Sequence, residues 1–307
     1  MSAWQVFGQQ LVNGLTLGAI YALIALGYTM VYGVIQLINF AHGEVFMVGA
    51  YLALTMLLAL GLTVAPSGWG LLGVLLVCGM AAMGGCALLG WSMERVAYRP
   101  LRGQAQRLSA LITAIGISFV LQNAVMLLYG ATDRRFPPLI PSVRWTVAGL
   151  TFTPLHLLVW CSTGALMCGL QALVMGTQLG RAMRATAHDP NACWLLGIPV
   201  HRIIAMTFML GSGCAGMGGM LFGLSYNSIN FHDGYLIGLK AFTAAVLGGI
   251  GNIPGAMVGG LVLGVLEALG AGYLSSQWKN AFAFIVLVAL LMCKPTGLFG
   301  ERVADRA

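Results

Sequence analysis

The sequence predicts an all-α polytopic membrane protein with about eight or nine transmembrane helices. Of its 307 residues, 59% are hydrophobic and only 7% are charged, whereas a soluble domain carries about 25% charged residues. The charges are also segregated, since residues 1–43, 45–93 and 203–232 contain no Asp, Glu, Lys or Arg. Uncharged stretches of this length are typical of membrane spans, because about 20 helical residues cross the hydrocarbon core. The composition therefore excludes a soluble enzyme, a nucleic-acid-binding protein and a disordered linker.

Apolar segments follow one another along most of the chain. They are residues 11–35, 45–64, 71–93, 108–129, 155–175 and 203–224, then a glycine-rich region of residues 235–272 and a last apolar segment of residues 281–292. Small residues recur every four positions in places, as at Gly211, Ala215, Gly219 and Gly223. This spacing puts small side chains on one helix face, where membrane helices pack closely. We expect ordinary bundle packing from these stripes; the alternative is a stripe that faces a pore or a partner subunit.

Three hydrophilic stretches are rich in basic residues and predict the orientation of the chain. Residues 94–107, residues 178–202 and the C-terminal segment with Lys294, Arg302 and Arg306 hold ten of the 15 Lys and Arg residues. The loops on the opposite side hold Arg134, Arg135, Arg144 and Lys279. Because Lys and Arg concentrate in the cytoplasmic loops of membrane proteins, we expect the three basic stretches, with the C-terminus, to be cytoplasmic.

The glycine-rich residues 235–272 are predicted to form a helical hairpin. An even number of passes is needed between residue 202 and a cytoplasmic C-terminus, so this region should contribute two. Its turn is expected at residues 248–255, where Gly and Pro are concentrated. Both passes would be short. The chain then has nine spans with the N-terminus outside, and the nearest alternative is eight spans with a partly re-entrant pair.

Lys240 and Glu267 are predicted to form an ion pair within this hairpin. A hairpin folded about Asn252 places both residues roughly 18–22 Å from the turn, at about 1.5 Å per residue. An unpaired charge in the bilayer centre costs about 3 kcal/mol or more, so the two side chains should face each other. The pair is either a structural device or part of a transport path.

A second polar group lies between the first two predicted spans, at their inner end. It comprises residues 38–44 and includes Asn39, His42 and Glu44. One interpretation is a gate or the lining of a path. The other is an interfacial turn that local hydrogen bonds satisfy.

The basic residues 178–202 contain a short predicted helix. Asp189 can cap a helix that starts at Pro190, and Gly197 can end it before Pro199. Apolar residues on a cytoplasmic loop, here Leu195 and Leu196, should be covered by something. A cytoplasmic partner is one possibility, and packing onto the spans or the lipid headgroups is the other.

The outer loop of residues 130–154 contains four prolines and three arginines: Arg134, Arg135 and Arg144. It is interpreted as a docking surface for an external partner or as a solvated loop that touches headgroups.

Signatures of enzymes and metal sites are missing from the sequence. No G-x-x-x-x-G-K-S/T motif precedes any of the three lysines, so the P-loop route of nucleotide hydrolysis is excluded. Neither H-E-x-x-H nor G-x-S-x-G occurs. The seven cysteines include no C-x-x-C pair and are interpreted as small hydrophobic residues. We expect a chain that is not an enzyme and binds no metal.

Four stretches closely resemble the permeases of bacterial branched-chain amino acid ABC importers, and in particular their LivH-type subunits. They are YALIALGYTMVYG at residues 21–33, INFAHGE at 38–44, ERVAYRP at 94–100 and KAFTAAVLGGIG at 240–251. The resemblance extends over nearly the whole chain. Related permeases serve urea and short amides, so the family is better defined than the substrate.

The resemblance implies a single transmembrane permease domain, residues 1–307, in the bacterial inner membrane. It also implies a second permease subunit of the LivM type, two cytoplasmic ATPase subunits that bind ATP and Mg²⁺, and a periplasmic binding protein that delivers leucine, isoleucine or valine. This chain itself would bind no cofactor and no nucleic acid. Transport would proceed by alternating access.

The resemblance further implies a role for each polar group. Residues 178–202 would be the coupling loop that enters a cleft of the ATPase, with contacts from Arg181, Arg184, Asp189, Ala192, Leu195, Leu196 and Gly197. The Glu-Ala-Ala opening of many importers is replaced here by Arg184-Ala185-Thr186-Ala187. The path or gate would involve Asn39, His42, Glu44, Lys240 and Glu267. The binding protein would dock at Arg134, Arg135 and Arg144. The main rival is a proton-coupled secondary transporter in which Glu44 or Glu267 carries the proton.

Overall fold

The computed structural model of the protein describes residues 3–61, 68–101, 107–141, 143–147, 149–294 and 296–300. Its α-helices are α1 (Ala3–Ile35), α2 (His42–Ala59), α3 (Trp69–Met93), α4 (Arg107–Tyr129), α5 (Pro154–Gly176), α6 (Gln178–His188), α7 (Pro190–Leu195), α8 (Val200–Tyr226), α9 (Asp233–Gly248), α10 (Ile253–Tyr273) and α11 (Lys279–Cys293). A π-helical turn, Glu94–Tyr98, continues α3, and a 3₁₀ turn, Ser276–Trp278, precedes α11. The predicted all-α class is confirmed.

The strands are short and lie in the α4–α5 and α8–α9 connections. Strand β1 (Arg134–Arg135) pairs antiparallel with β4 (Ser228–Ile229), and β2 (Trp145–Val147) pairs antiparallel with β3 (Leu150–Phe152). The pairing of β1 with β4 ties the α4–α5 connection to the segment between α8 and α9.

Seven helices of the described chain are long and apolar enough to cross a membrane: α1, α2, α3 with its π-helical turn, α4, α5, α8 and α10. Helices α9 and α11 have 16 and 15 residues and are shorter than the roughly 20 residues of a full span. The multi-pass prediction is confirmed. The expectation that both hairpin passes are short is wrong for α10, which runs for 21 residues. Residue 64, the predicted end of the second span, lies outside the described residues, as do Arg302 and Arg306.

Helices α1 and α10 pack closely along small residues. A Cβ atom added at Gly18 would meet the backbone of Gly260 and Leu261, and one added at Gly264 would meet the backbone of Gly18. Helices that approach this closely are held by dispersion over a stripe of small residues. The glycines of α10 face more than one neighbour, since Gly260 and Gly264 lie against α1 whereas Gly255 and Gly259 lie against α9.

Helix α8 is the second central helix. Gly211 lies against Gly27 of α1, and Gly219 lies against the backbone of Phe46 and Ala50 in α2. The four-residue stripe of α8 is therefore a packing surface, as expected from its spacing. Helices α3, α4 and α5 surround this centre, and much of their outward surface is apolar and exposed.

Helix α2 begins inside the bundle and not at its edge. After α1 the chain turns at Gln36, which has φ of 52°, and returns so that the His42 ring lies against Gly27. Gly27 also contacts Gly211, which is about 16 Å along α8 from its first residue. His42 therefore lies within the bundle, whereas Asn39 contacts Tyr98 at the end of the span formed by α3 and its π-helical turn.

The turn between α9 and α10 was predicted correctly. Helix α9 ends at Gly248, and the side chain of Asn252 caps α10 by accepting a hydrogen bond from the Gly255 amide at 3.0 Å. The C-terminal segment packs on this turn. The amides of Leu298 and Phe299 donate to the carbonyls of Leu247 and Gly248 at 2.8 and 3.1 Å.

Candidate functional site

A groove of about 580 Å³ opens between α4 and α9, and we call it the α4–α9 groove. Its lining comprises Tyr28, Phe40, Glu44, Leu111, Ile115, Ser118, Phe119, Gln122, His232, Gly234, Tyr235, Gly238 and Leu239. Small-molecule sites have about 300–1,000 Å³ and mostly apolar walls with a few polar groups. The α4–α9 groove fits this description.

Glu44 is the buried carboxylate of the groove. The residue is 1% exposed, and its Oε1 accepts a hydrogen bond from Ser118 Oγ at 3.3 Å. Its Oε2 has no hydrogen-bond partner among the described residues and lies against the backbone of Gly234. Glu44 is in the first turn of α2, and Gly234 is in the first turn of α9. The carboxylate therefore lies near two helix N-termini, each with a partial positive charge, and the first turn of α9 also contains Asp233.

The carboxylate lies near the middle of the membrane-spanning region. Ser118, its hydrogen-bond donor, is at the midpoint of α4, about 16 Å from either end at 1.5 Å per residue. A charge at this depth costs about 3 kcal/mol or more. This depth does not fit an interfacial position for Glu44, and a role in a path stays a prediction.

Asn39 and His42 lie behind the groove and support the start of α2. Asn39 Oδ1 accepts hydrogen bonds from Tyr98 Oη at 2.9 Å and from the Ala41 amide at 3.1 Å. The His42 ring packs edge-on against Tyr28 with 4.8 Å between ring centroids. Both side chains are buried, and neither belongs to the groove lining. Their contacts hold the irregular segment before α2 in place.

Three polar groove residues were missed by the sequence analysis. Ser118 and Gln122 lie one helical turn apart on α4, and Gln122 Nε2 is 2.8 Å from His232 Nδ1. Polar residues four positions apart in an otherwise apolar helix share one face, and this spacing is the signal that could have identified them. His232 carries no such signal, because only the folded chain brings it to α4.

Lys240 and Glu267 form the predicted ion pair. Lys240 Nζ is 2.7 Å from Glu267 Oε1, and both side chains are buried. Tyr21 Oη donates to Glu267 Oε2 at 2.9 Å, and Lys279 Nζ lies 3.4 Å from Oε1. Tyr226 Oη is 3.5 Å from Lys279 Nζ. The network connects α1, α8, α9, α10 and the start of α11.

This network satisfies both oxygens of Glu267 and holds one positive charge in excess. The side chain of Lys279 is 33% exposed, so solvent reaches that end of the network. The sequence spacing of the hairpin predicted the pair but not Tyr21 or Lys279, which come from outside the hairpin. The contacts favour the structural interpretation of the pair.

The basic residues 178–202 contain a helix that was not predicted, α6. Thr177 Oγ1 caps it by accepting from the Gly180 amide at 3.1 Å. Arg184 extends back and donates to the carbonyl of Val174 in the last turn of α5, where a positive charge is favourable. Arg184 therefore fixes α6 to α5, while Arg181 is exposed.

Helix α7 was predicted correctly. Asp189 Oδ1 accepts from the amides of Asn191 and Ala192 at 2.9 and 3.1 Å, and Gly197 ends the helix with φ of 75°. Cys193 is buried and anchors the helix, whereas Leu195 and Leu196 are 89% and 77% exposed. The loop thus presents an apolar tip that no described residue covers.

The outer arginines have different environments. Arg134 Nε donates to the carbonyl of Tyr129, the last residue of α4, at 2.7 Å. Arg135 lies in β1 and is exposed, and Arg144 is exposed just before β2. Arg134 thus stabilises the end of α4, and binding-protein docking by the three arginines stays a prediction. The described residues contain no group of three or more His, Cys, Asp or Glu that could hold a metal ion.

One protein family matches most of the chain. The family described as "Branched-chain amino acid transport system / permease component" matches residues 10–291. The chain is 46% identical to the "High-affinity branched-chain amino acid transport system permease protein LivH" of Escherichia coli (strain K12), over 98% of this chain and 97% of the relative. It is 47% identical to the permease protein BraD of the same kind of system in Pseudomonas aeruginosa, over 97% of both chains.

A more distant relative covers almost the same length. The chain is 29% identical to the "Probable branched-chain amino acid transport permease protein LivH" of Methanocaldococcus jannaschii, over 91% of this chain and 88% of the relative. No solved structure matches the chain.

Proposed function

The chain belongs to the family of permease components of branched-chain amino acid transport systems, and from this premise we propose that it is the membrane-spanning subunit of an ATP-driven importer of leucine, isoleucine and valine. The observation that carries the proposal is the 46% identity to LivH over nearly the full length of both chains. The protein is a multi-pass membrane protein, and we place it in the bacterial inner membrane with a cytoplasmic C-terminus.

The proposed partners are a LivM-type permease, two ATPase subunits that bind ATP and Mg²⁺, and a periplasmic binding protein. The α4–α9 groove supports a second permease subunit. Gln122 and His232 lie at membrane depth on the open side of the groove, and polar groups at that depth are stable only against protein or in a water-filled cavity. A second permease would close the groove and complete a path between the two subunits.

The proposed coupling runs from the apolar tip of α7 into the bundle. Leu195 and Leu196 would enter the ATPase cleft, and α6 is fixed to α5 through Thr177 and Arg184. Closure of the ATPase dimer on ATP would therefore move the inner ends of α5 and α8 together. The spans would open outward, accept the amino acid from the binding protein and reset after hydrolysis.

The secondary-transporter rival is less well supported by the contacts of Glu267. Both of its oxygens interact with Tyr21 or Lys240, so this carboxylate is committed to the fold. Glu44 would be the remaining proton carrier. In the urea and short-amide alternative, the same kind of ATP-driven importer carries a different substrate.

Reconstitution of the complete importer tests the proposal. The chain is placed in vesicles with its permease, ATPase and binding-protein partners, and leucine uptake is followed with and without ATP on the ATPase side. We expect uptake that needs every partner and ATP, and that is lost in Leu195→Asp/Leu196→Asp but kept in the control Leu195→Met/Leu196→Met. Uptake by this chain alone under a proton gradient would overturn the proposal.

A further inference from the structure

We propose that Glu44 binds the α-ammonium group of the amino acid in transit, and that the apolar wall of the α4–α9 groove holds its aliphatic side chain. This inference rests on the proposed function and deepens it. Glu44, a candidate path residue from the sequence, is thereby assigned to one chemical group of the substrate.

The buried carboxylates of Glu44 and Glu267 differ in their contacts. Glu267 is neutralised by Lys240 and Lys279 and accepts a hydrogen bond from Tyr21. Glu44 is equally buried, yet no basic side chain of the described residues pairs with it and its Oε2 has no hydrogen-bond partner. The fold therefore supplies a cation for one carboxylate and leaves the other without one.

The backbone of two helix N-termini lies close to the side chain of Glu44. A Cβ atom at Gly234 would fall on Glu44 Oε2, and one at Gly43 would fall on the backbone of Gly234 and Gly238. Glycine at these positions lets the first turns of α2 and α9 approach the carboxylate. Each N-terminus contributes about half an elementary positive charge, and the open groove that Glu44 lines leaves room for a mobile cation.

The shape of the groove indicates the chemical class of that cation. The α4 side of the groove is lined by Leu111, Ile115 and Phe119. Its wall also includes the aromatic rings of Tyr28 and Phe40. A carboxylate at one end of an apolar groove recognises a molecule with an ammonium group and an aliphatic chain. An α-amino acid with a branched apolar side chain has this form, whereas urea lacks both the charge and the chain.

Transport by Glu44 variants in the reconstituted importer gives the first test. Wild-type uptake driven by ATP establishes the proposed function, and its absence would refute that function and not this site. In Glu44→Gln we expect leucine uptake to fall about 30-fold or more, while ATPase stimulation by the loaded binding protein is kept. Unchanged uptake, or loss of uptake and ATPase stimulation together in the assembled complex, would overturn the site.

Thiol protection gives a second test that keeps Glu44 in place. Ser118→Cys is made in a chain whose exposed Cys161, Cys168 and Cys293 are serine, and alkylation by N-ethylmaleimide is timed in the nucleotide-free complex. The control is Val120→Cys, which is exposed on α4 and does not line the groove.

Leucine is expected to slow alkylation at residue 118 and not at residue 120. The same compound without its ammonium group, 4-methylpentanoate, should leave both rates unchanged, as should urea. Equal protection by 4-methylpentanoate or by urea, or no protection by leucine, would overturn recognition of the ammonium group by Glu44.

Discussion

Lys240 Nζ lies 2.7 Å from Glu267 Oε1 and joins the two helices of the glycine-rich hairpin within the bundle. Lys279 contacts the same oxygen at 3.4 Å from a partly exposed position. The carboxylate of Glu267 therefore contacts two lysines. Replacing each of the three residues should lower the stability of the protein by a different amount.

Replacing each member of this network should give a ranked loss of stability. Breaking a buried ion pair by removing one partner costs about 3–5 kcal/mol. We expect Glu267→Gln to lower the unfolding temperature most, because it leaves buried Lys240 unpaired. Lys240→Met should have a smaller effect, since Lys279 still neutralises Glu267, and Lys279→Met the smallest. Thermal unfolding of the purified chain in detergent measures this order, and three equal shifts would contradict it.

Overpacking the α1–α10 contact should destabilise the bundle. In Gly18→Ala the new methyl group would lie 2.8 Å from the backbone of Gly260 and Leu261, and such overpacking costs about 1–3 kcal/mol. The matched control is Gly169→Ala in α5, where the added carbon meets nothing within 4 Å and helix propensity favours Ala by about 1 kcal/mol. Unfolding temperatures should move in opposite directions, and a neutral Gly18→Ala would refute the close contact.

Removing the cap of α7 should uncouple ATP hydrolysis from transport. Asp189→Ala loses the side-chain acceptor of two backbone amides, which costs about 1 kcal/mol of helix stability. We expect fewer leucine molecules moved per ATP hydrolysed in the reconstituted importer. Asp189→Asn keeps an acceptor oxygen and should behave nearly as wild type; a loss as large as that of Asp189→Ala would show that charge, and not capping, matters.

Narrowing the α4–α9 groove should block uptake without disturbing the fold. Ile115 lines the groove, whereas Ile112, exposed on the same helix, does not. We expect Ile115→Trp to lower leucine uptake by about tenfold or more, and Ile112→Trp to leave it nearly unchanged. Equal effects of the two variants on uptake, measured in complexes of matched assembly, would show that the groove is not the path.

The sequence predicted those features that depend on distance along the chain. The Lys240–Glu267 pair followed from the hairpin turn at Asn252, and α7 followed from Asp189, Pro190 and Gly197. Helix α6 was missed because a stretch with three charged or titratable side chains, Arg181, Arg184 and His188, does not stand out as an apolar segment. Its cap at Thr177 was the available signal.

The candidate site depended on contacts that one-dimensional hydropathy does not contain. A break between two apolar segments was interpreted either as part of a path or as an interfacial turn, and in the structure the chain turns at Gln36 and returns into the bundle. The depth of Glu44 thus became known only through Gly27 and Ser118. Which face of α4 is open likewise depends on where α9 begins.

The packing of residues 298 and 299 on the hairpin turn also sets an order for biogenesis. The carbonyls of Leu247 and Gly248 receive these two amide donors from a part of the chain that is translated about 50 residues later. The end of a helix leaves carbonyl groups that need such partners. The C-terminal end of α9 therefore gains these two hydrogen bonds only after α10 and α11 have been synthesised.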